Sequence, residues 1–203
     1  MSDIVYWHKN NLYINITNKC SNNCYFCFRN FSNGVWGFDL KLNNDPTVND
    51  IFKELQRAIN KKFWKEVIFC GFGEPTERLD CLLEVNRWIK KYHGIPVRLD
   101  TNGQAYLLNP RRDIIDELVE AGLDRLSVSL NAHNREVYNK VCKPVFDNAY
   151  KSVLEFIKKA KKKMDTEITA VTIPEANIEK LKDIAKKMGV KFRSRVYEAP
   201  NFY

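Results

Sequence analysis

Cys20, Cys24 and Cys27 stand within eight positions, three of the six cysteines of a 203-residue chain, in the stretch KCSNNCYFCFR. Phe26 directly precedes the last thiol. Thiols this dense can hold zinc, form disulfides or grip an iron–sulfur cluster. Zinc asks for four ligands, commonly as two close pairs. Here no fourth cysteine is near, and the three histidines, His8, His93 and His133, have no partner at metal-binding spacing. A disulfide would leave an odd thiol. A cluster held by three protein ligands leaves one iron open to a substrate or cofactor, and the spacing favours that reading over zinc.

The elements around this triplet alternate between strand and helix. NLYINIT (11–17), with Leu12, Ile14 and Ile16 on one side, predicts a first strand that feeds the cysteines. A helix follows over 47–60, capped by Thr47, then a buried strand at 66–70, a helix over 78–92 and a strand at 96–100. Asn109, Pro110 and Gly122 punctuate a helix over 109–122 as N-cap, first helical position and stop. A strand at 124–131, a helix over 147–163, a strand at 167–173, a helix ending at Gly189 and a strand at 191–197 complete the pattern. Alternation of this kind predicts an α/β fold with a parallel sheet and right-handed crossovers. Eight rounds close a full barrel in about 250 residues, so six predict a partial (β/α)6 TIM-like barrel, read as a single domain over 1–203.

Polar and small residues collect at the C-terminal ends of those strands, where such folds keep their chemistry. GFGEPT (71–76) offers Gly71 and Gly73 for close backbone approach and Pro75 for a fixed turn. LDTNG (99–103) brings Asp100, Thr101 and Asn102, although Asn-Gly also reads as a plain turn. In SVSLNA (127–132) a period of two sets Ser127, Ser129 and Asn131 on one side, facing the barrel interior. VTIPEAN (171–177) ends the fifth strand at Val171 to Pro174. Of the other cysteines, Cys70 and Cys81 read as packing residues. Cys142, in YNKVCKP after the fourth strand, is expected on a loop near the active-site mouth as a candidate catalytic thiol, a redox or hydrogen donor.

A formal charge of +8 suits an anionic partner, but the excess sits in KKAKKK (158–163) and AKKMGVK (185–191), which read more readily as solvated helix faces than as a nucleic-acid patch. No apolar run approaches the roughly 18 residues of a membrane helix, and no signal peptide is apparent, so the expected compartment is the reducing cytoplasm.

Cys20, Cys24, Phe26 and Cys27 match C-x3-C-x-Φ-C, and on that motif the chain resembles the radical S-adenosylmethionine (SAM) superfamily. The resemblance implies that the three thiolates hold a 4Fe–4S cluster as metal ligands. It also implies that SAM completes the fourth iron and that a reductant such as flavodoxin or ferredoxin starts its cleavage to a hydrogen-abstracting 5′-deoxyadenosyl radical. GFGEPT is similar to the family's glycine–glycine–glutamate–proline motif at Gly73, Glu74 and Pro75. By the resemblance, Phe26, Gly71, Gly73, Glu74, Pro75, Asp100, Asn102, Ser127, Ser129, Asn131 and Val171 would contact the cofactor. LDTNG also looks like a segment of glycyl-radical activating enzymes. Over Leu12 to Arg195 the chain looks most like the TatD family-associated radical SAM proteins, which are expected to carry asparagine where this chain has Asp100. The group's name implies a functional link to a TatD-type hydrolase and no substrate. No auxiliary-cluster or substrate domain is expected, so a large substrate or a partner protein would close the open barrel. The competing readings are a glycyl-radical activating enzyme and, from another class, a non-catalytic metal-binding or scaffold protein.

Overall fold

The computed structural model describes residues 2–197. One sheet of seven strands dominates, built from β1 (Val5–His8), β2 (Asn11–Ile14), β5 (Glu66–Phe69), β6 (Val97–Thr101), β7 (Arg125–Ser129), β8 (Asp165–Val171) and β9 (Lys191–Arg195), in that spatial order. β1 is antiparallel to β2, and every later pairing is parallel. The crossovers are α1 (Val48–Ile59), α2 (Leu79–Tyr92), α3 (Ala105–Leu108) with α4 (Ile114–Glu120), α5 (Arg135–Cys142) with α6 (Ala149–Ala160), and α7 (Ile178–Met188). The sheet ends at β1 and β9, which do not pair with each other, so the barrel is open at one side.

Strand parity explains both faces. Leu12, Ile14, Val67, Phe69, Val97, Leu99, Leu126, Val128, Ile168 and Ala170 are almost wholly buried, as are Ile51, Leu55, Leu82, Ile89, Leu118, Val153, Phe156 and Leu181 on the covering helices. Burying each of these side chains other than Ala170 contributes about 1.5–3 kcal/mol. The residues between them on β6, β7 and β9, among them Arg98, Asp100, Ser127, Ser129, Arg193 and Arg195, form the concave face.

Three segments differ from the sequence expectation. The strand β1 precedes the expected first strand, and a hairpin of β3 (Gly34–Val35) and β4 (Phe38–Asp39) packs its rings against it, Trp36 on Tyr6 and His8 and Phe38 on Trp7. The hairpin turns on Trp36 and Gly37, both at positive φ, as a two-residue turn demands. The helix expected over 109–122 is cut to α4, with the separate short α3 ending just before that span. Asn109 does not cap a following helix: its side chain donates back to Thr76 O at 3.0 Å and Ala105 O at 3.2 Å, and Arg111 takes a positive φ of 69°. Helix thus resumes only at Ile114, and the expected stop holds, with Gly122 at φ 85°. The segment before α6, expected as the loop carrying Cys142, forms α5, N-capped by Asn134. The lysine-rich end of α6 is engaged locally: Lys159 lies 4.3 Å over the Tyr106 ring, Lys161 bonds Met188 O and Lys163 pairs with Asp116. Among the described residues no helix is long and apolar enough to cross a membrane.

Candidate active site at the C-terminal rim of the sheet

The cysteine loop follows β2 and rests on the end of α5. Asn23 N donates to Cys142 O at 3.0 Å, Tyr25 N to Val141 O at 3.2 Å, and Val145 N to Ser21 O at 2.9 Å. Cys20, Cys24 and Cys27 are half-buried and unbridged. Burial pushes the Cys20 thiol up to about 12, and a hydrogen bond with Cys142, together with burial, raises that of Cys24. Arg29 anchors the turn through Asn18 O at 3.1 Å and Asn22 O at 3.3 Å. Burial works against its charge, but its bond to Cys27 and the nearby sulfurs of Cys20 and Cys24 hold it protonated. Among the described residues, no three metal-binding side chains converge on a point that one ion would occupy. A cluster gives each cysteine its own iron and needs no such convergence. Three free thiols, each open on one side and backed by a guanidinium, fit that group.

GFGEPT leads from β5 into a short 3₁₀ turn, Pro75–Arg78. A Cβ on Gly71 would lie 2.2 Å from Asn15 Oδ1, and one on Gly73 2.3 Å from Lys19 O and 2.6 Å from Thr17 O. The glycines therefore permit close approach to the entry of the cysteine loop itself, where Glu74 N donates to Lys19 O at 2.7 Å. The Glu74 side chain is buried and accepts from Thr76 N (3.1 Å), Thr76 Oγ1 (2.8 Å), Thr101 Oγ1 (2.7 Å) and Asn102 N (2.6 Å). Burial raises its pKa against the pull of those donors. Glu74 thus braces two strand ends, with Pro75 buried beside it.

At the end of β6, Asn102 Nδ2 reaches Ser21 Oγ at 2.9 Å and Cys20 Sγ at 3.9 Å. Gln104 Nε2 donates to Asn22 Oδ1 (2.6 Å) and to Tyr138 Oη (3.0 Å), tying the cysteine loop to α5. Asp100 accepts from Arg98 Nε at 2.8 Å, and the same guanidinium pairs with Glu66 at 3.1 Å. Ser127 Oγ receives Arg193 at 3.2 Å, and Ser129 Oγ receives Arg195 at 3.1 Å, so both serines face the concave side as their parity requires. Asn131 lies past the end of β7 at φ 56°, and its Oδ1 accepts from Val171 N at 3.1 Å, joining the ends of β7 and β8. Phe26 is half-buried and packs edge-on against Tyr25, with ring centroids 5.5 Å apart. Tyr25 Oη in turn donates to Glu175, beyond β8, at 2.5 Å.

Cys142 corrects an expectation. It is the last residue of α5, has no exposed surface, and lies beneath Cys24 rather than at the mouth. A thiol so enclosed has no path to a substrate in the cleft. Cys81 packs in the core on α2, and Cys70 sits on the concave side of the β5 end, where Tyr6 Oη donates to its carbonyl at 3.0 Å. Burial pushes the Cys70 thiol up to about 12.

Arg29, Arg98, Gln104, Tyr138, Arg193 and Arg195 belong to this site and were not singled out from the sequence. A basic residue two places after the last cysteine, and arginines alternating in KFRSR, were the available signals.

The model of the Radical SAM superfamily matches residues 14–188. A protein named "Probable GTP 3',8-cyclase" from Thermococcus kodakarensis is 34% identical over 131 residues, covering 64% of this chain and 38% of its own length. Streptococcus suis SuiB, solved with S-adenosylmethionine, superposes with a TM-score of 0.72 at 17% identity, over 96% of this chain and 42% of SuiB. TYW1 with a bound lysine–pyruvate adduct gives 0.67 at 20% identity, over 96% and 67%. The chain spans little more than a third of the length of the Thermococcus relative. Members of the matched superfamily use a 4Fe–4S cluster and SAM. The chain belongs to the radical SAM superfamily.

Proposed function

We propose that this protein is a radical SAM enzyme in which Cys20, Cys24 and Cys27 hold a 4Fe–4S cluster. The observation that carries the reading is the placement of three unbridged, half-buried thiols at the C-terminal rim of a parallel sheet, backed by Arg29. Cluster and SAM together would supply a 5′-deoxyadenosyl radical for hydrogen abstraction. The chain's own residues position and shield. Glu74 and the glycines seat the cysteine loop, Arg29 offsets thiolate charge, and Phe26 with Tyr25 walls one side. The remaining cofactor contacts would come from the backbone at 71–75, from Asp100, Ser127, Ser129, Asn131 and Val171, and from Arg195, the concave-face arginine that shares Ser129.

The substrate is proposed to be large, or enclosed by a partner protein, because β1 and β9 leave one side of the barrel open. Structural kinship to SuiB, solved with its precursor peptide SuiA, makes a peptide one candidate, and kinship to GTP 3',8-cyclases makes a nucleotide another. Over the segments quoted above, the subfamily reading is a TatD-associated protein acting in a reducing compartment. Anaerobic turnover with deuterated candidates of both classes tests this: deuterium in 5′-deoxyadenosine identifies the substrate, and no transfer from any candidate counts against both classes.

A further inference from the structure

We propose that Asn102 is a positioning residue that raises the reduction potential of the cluster by donating an N–H to the sulfur of Cys20. The proposal rests on the cluster reading above. The orientation of the Asn102 amide is fixed by its surroundings. Gln104 N donates to Oδ1 at 2.9 Å, which assigns the other end as the NH₂ group. One hydrogen of Nδ2 goes to Ser21 Oγ at 2.9 Å, and the second points to Cys20 Sγ at 3.9 Å. The backbone of Asn102 is clamped by Glu74 Oε2 at 2.6 Å, and Gln104 is itself held by Asn22 and Tyr138. Asn22 N adds a second donor to the same sulfur at 3.5 Å.

An electron added to a cluster spreads onto its ligand sulfurs. N–H groups aimed at a ligand sulfur stabilise the reduced form, and hydrogen bonds to sulfur are a main lever on cluster potential. Asn102 is only 7% exposed, so little water competes for its N–H.

The test is the midpoint potential of the reconstituted full chain, followed by electron paramagnetic resonance, with iron and sulfide content measured separately. For Asn102→Ala with a full cluster, the expected result is a tenfold shift of the equilibrium toward the oxidised form, equivalent to about 59 mV for one electron. A merely structural role would admit water, whose own O–H donors would leave the potential unchanged or higher, and that result overturns the proposal. If Asn102→Ala assembles no cluster, wild-type protein carrying ¹⁵N in its asparagine side-chain amides decides. A ¹⁵N hyperfine coupling to the reduced cluster supports the proposal and its absence overturns it. Two rival amides in the cysteine loop are turned to oxygens instead of sulfur, Asn22 Nδ2 to Tyr138 Oη at 3.2 Å and Asn30 Nδ2 to Cys24 O at 3.0 Å and Tyr25 O at 2.9 Å; Asn30→Ser, labelled in the same way, should keep the coupling. A wild-type chain that takes up no iron overturns the cluster reading itself, and the proposal with it.

Discussion

Glu74 Oε2 accepts the backbone N–H of Asn102 at 2.6 Å, so a carboxylate from the loop after β5 carries the end of β6. Its other oxygen serves Thr76 and Thr101. Glu74→Gln would turn an amide NH₂ toward groups that are themselves donors, leaving a buried donor unpaired at a cost of about 1–3 kcal/mol. The expected outcome is a lower Tm and weaker cluster retention, read by thermal unfolding and iron content. An unchanged Tm would remove Glu74 from its bracing role.

Gly73→Ala places a Cβ 2.3 Å from the carbonyl of Lys19, a backbone atom in the cysteine loop. Overpacking of this kind costs about 1–3 kcal/mol, and here it falls on the loop that carries the thiols. Gly94→Ala is the control: it meets open space, and its φ of 62° alone costs about 1–2 kcal/mol. Both variants should lose stability, but only Gly73→Ala should also lose iron.

Cys142→Ala removes a wholly buried thiol that touches Cys24. Because the side chain does not reach the cleft, the variant should still form 5′-deoxyadenosine, with a modest loss of stability. Cys142→Ser, whose hydroxyl can keep the hydrogen bond to Cys24, should likewise still form product. Loss of product with a full cluster in Cys142→Ala would restore the thiol to the chemistry.

Glu167 sits on the concave side in a salt bridge with Arg193, its side chain 13% exposed. Burial alone would raise its pKa, but the bonds from Arg193 and Ser127 outweigh that and hold the carboxyl below its usual 4.5. A carboxyl lowered on folding stabilises the fold above the unfolded value, and that contribution fades as pH falls through the lowered one. Glu167→Gln should flatten this part of the acid limb, measured as Tm against pH from neutral down to about pH 3.

The parallel sheet was legible because short strands, alternating as in β2 or buried throughout as in β5, recur between the helix periods of α1, α2 and α7. The cysteine triplet was legible from spacing alone. What escaped the sequence depended on tertiary partners. Asn109 followed by Pro110 reads locally as a helix start, but the side chain finds better acceptors behind it, at Thr76 and Ala105. Cys142 reads as a loop thiol, because nothing local indicates that the chain before it winds into α5 and that the cysteine loop closes over its end. Gly71 and Gly73 signalled close approach correctly, although the backbone they approach belongs to this chain. Arg193 and Arg195 find Ser127 and Ser129 only across 66 residues of chain, a pairing that the fold alone brings about.

The central claim is that these thiols support reductive cleavage of SAM, and the most direct test is 5′-deoxyadenosine formed anaerobically by reconstituted protein given SAM and a reductant. The account predicts a brown 4Fe–4S protein that forms 5′-deoxyadenosine in the wild type, and no product from Cys20→Ala, Cys24→Ala or Cys27→Ala. A fully loaded wild-type protein that forms no 5′-deoxyadenosine, or a triplet variant that still does, would contradict it.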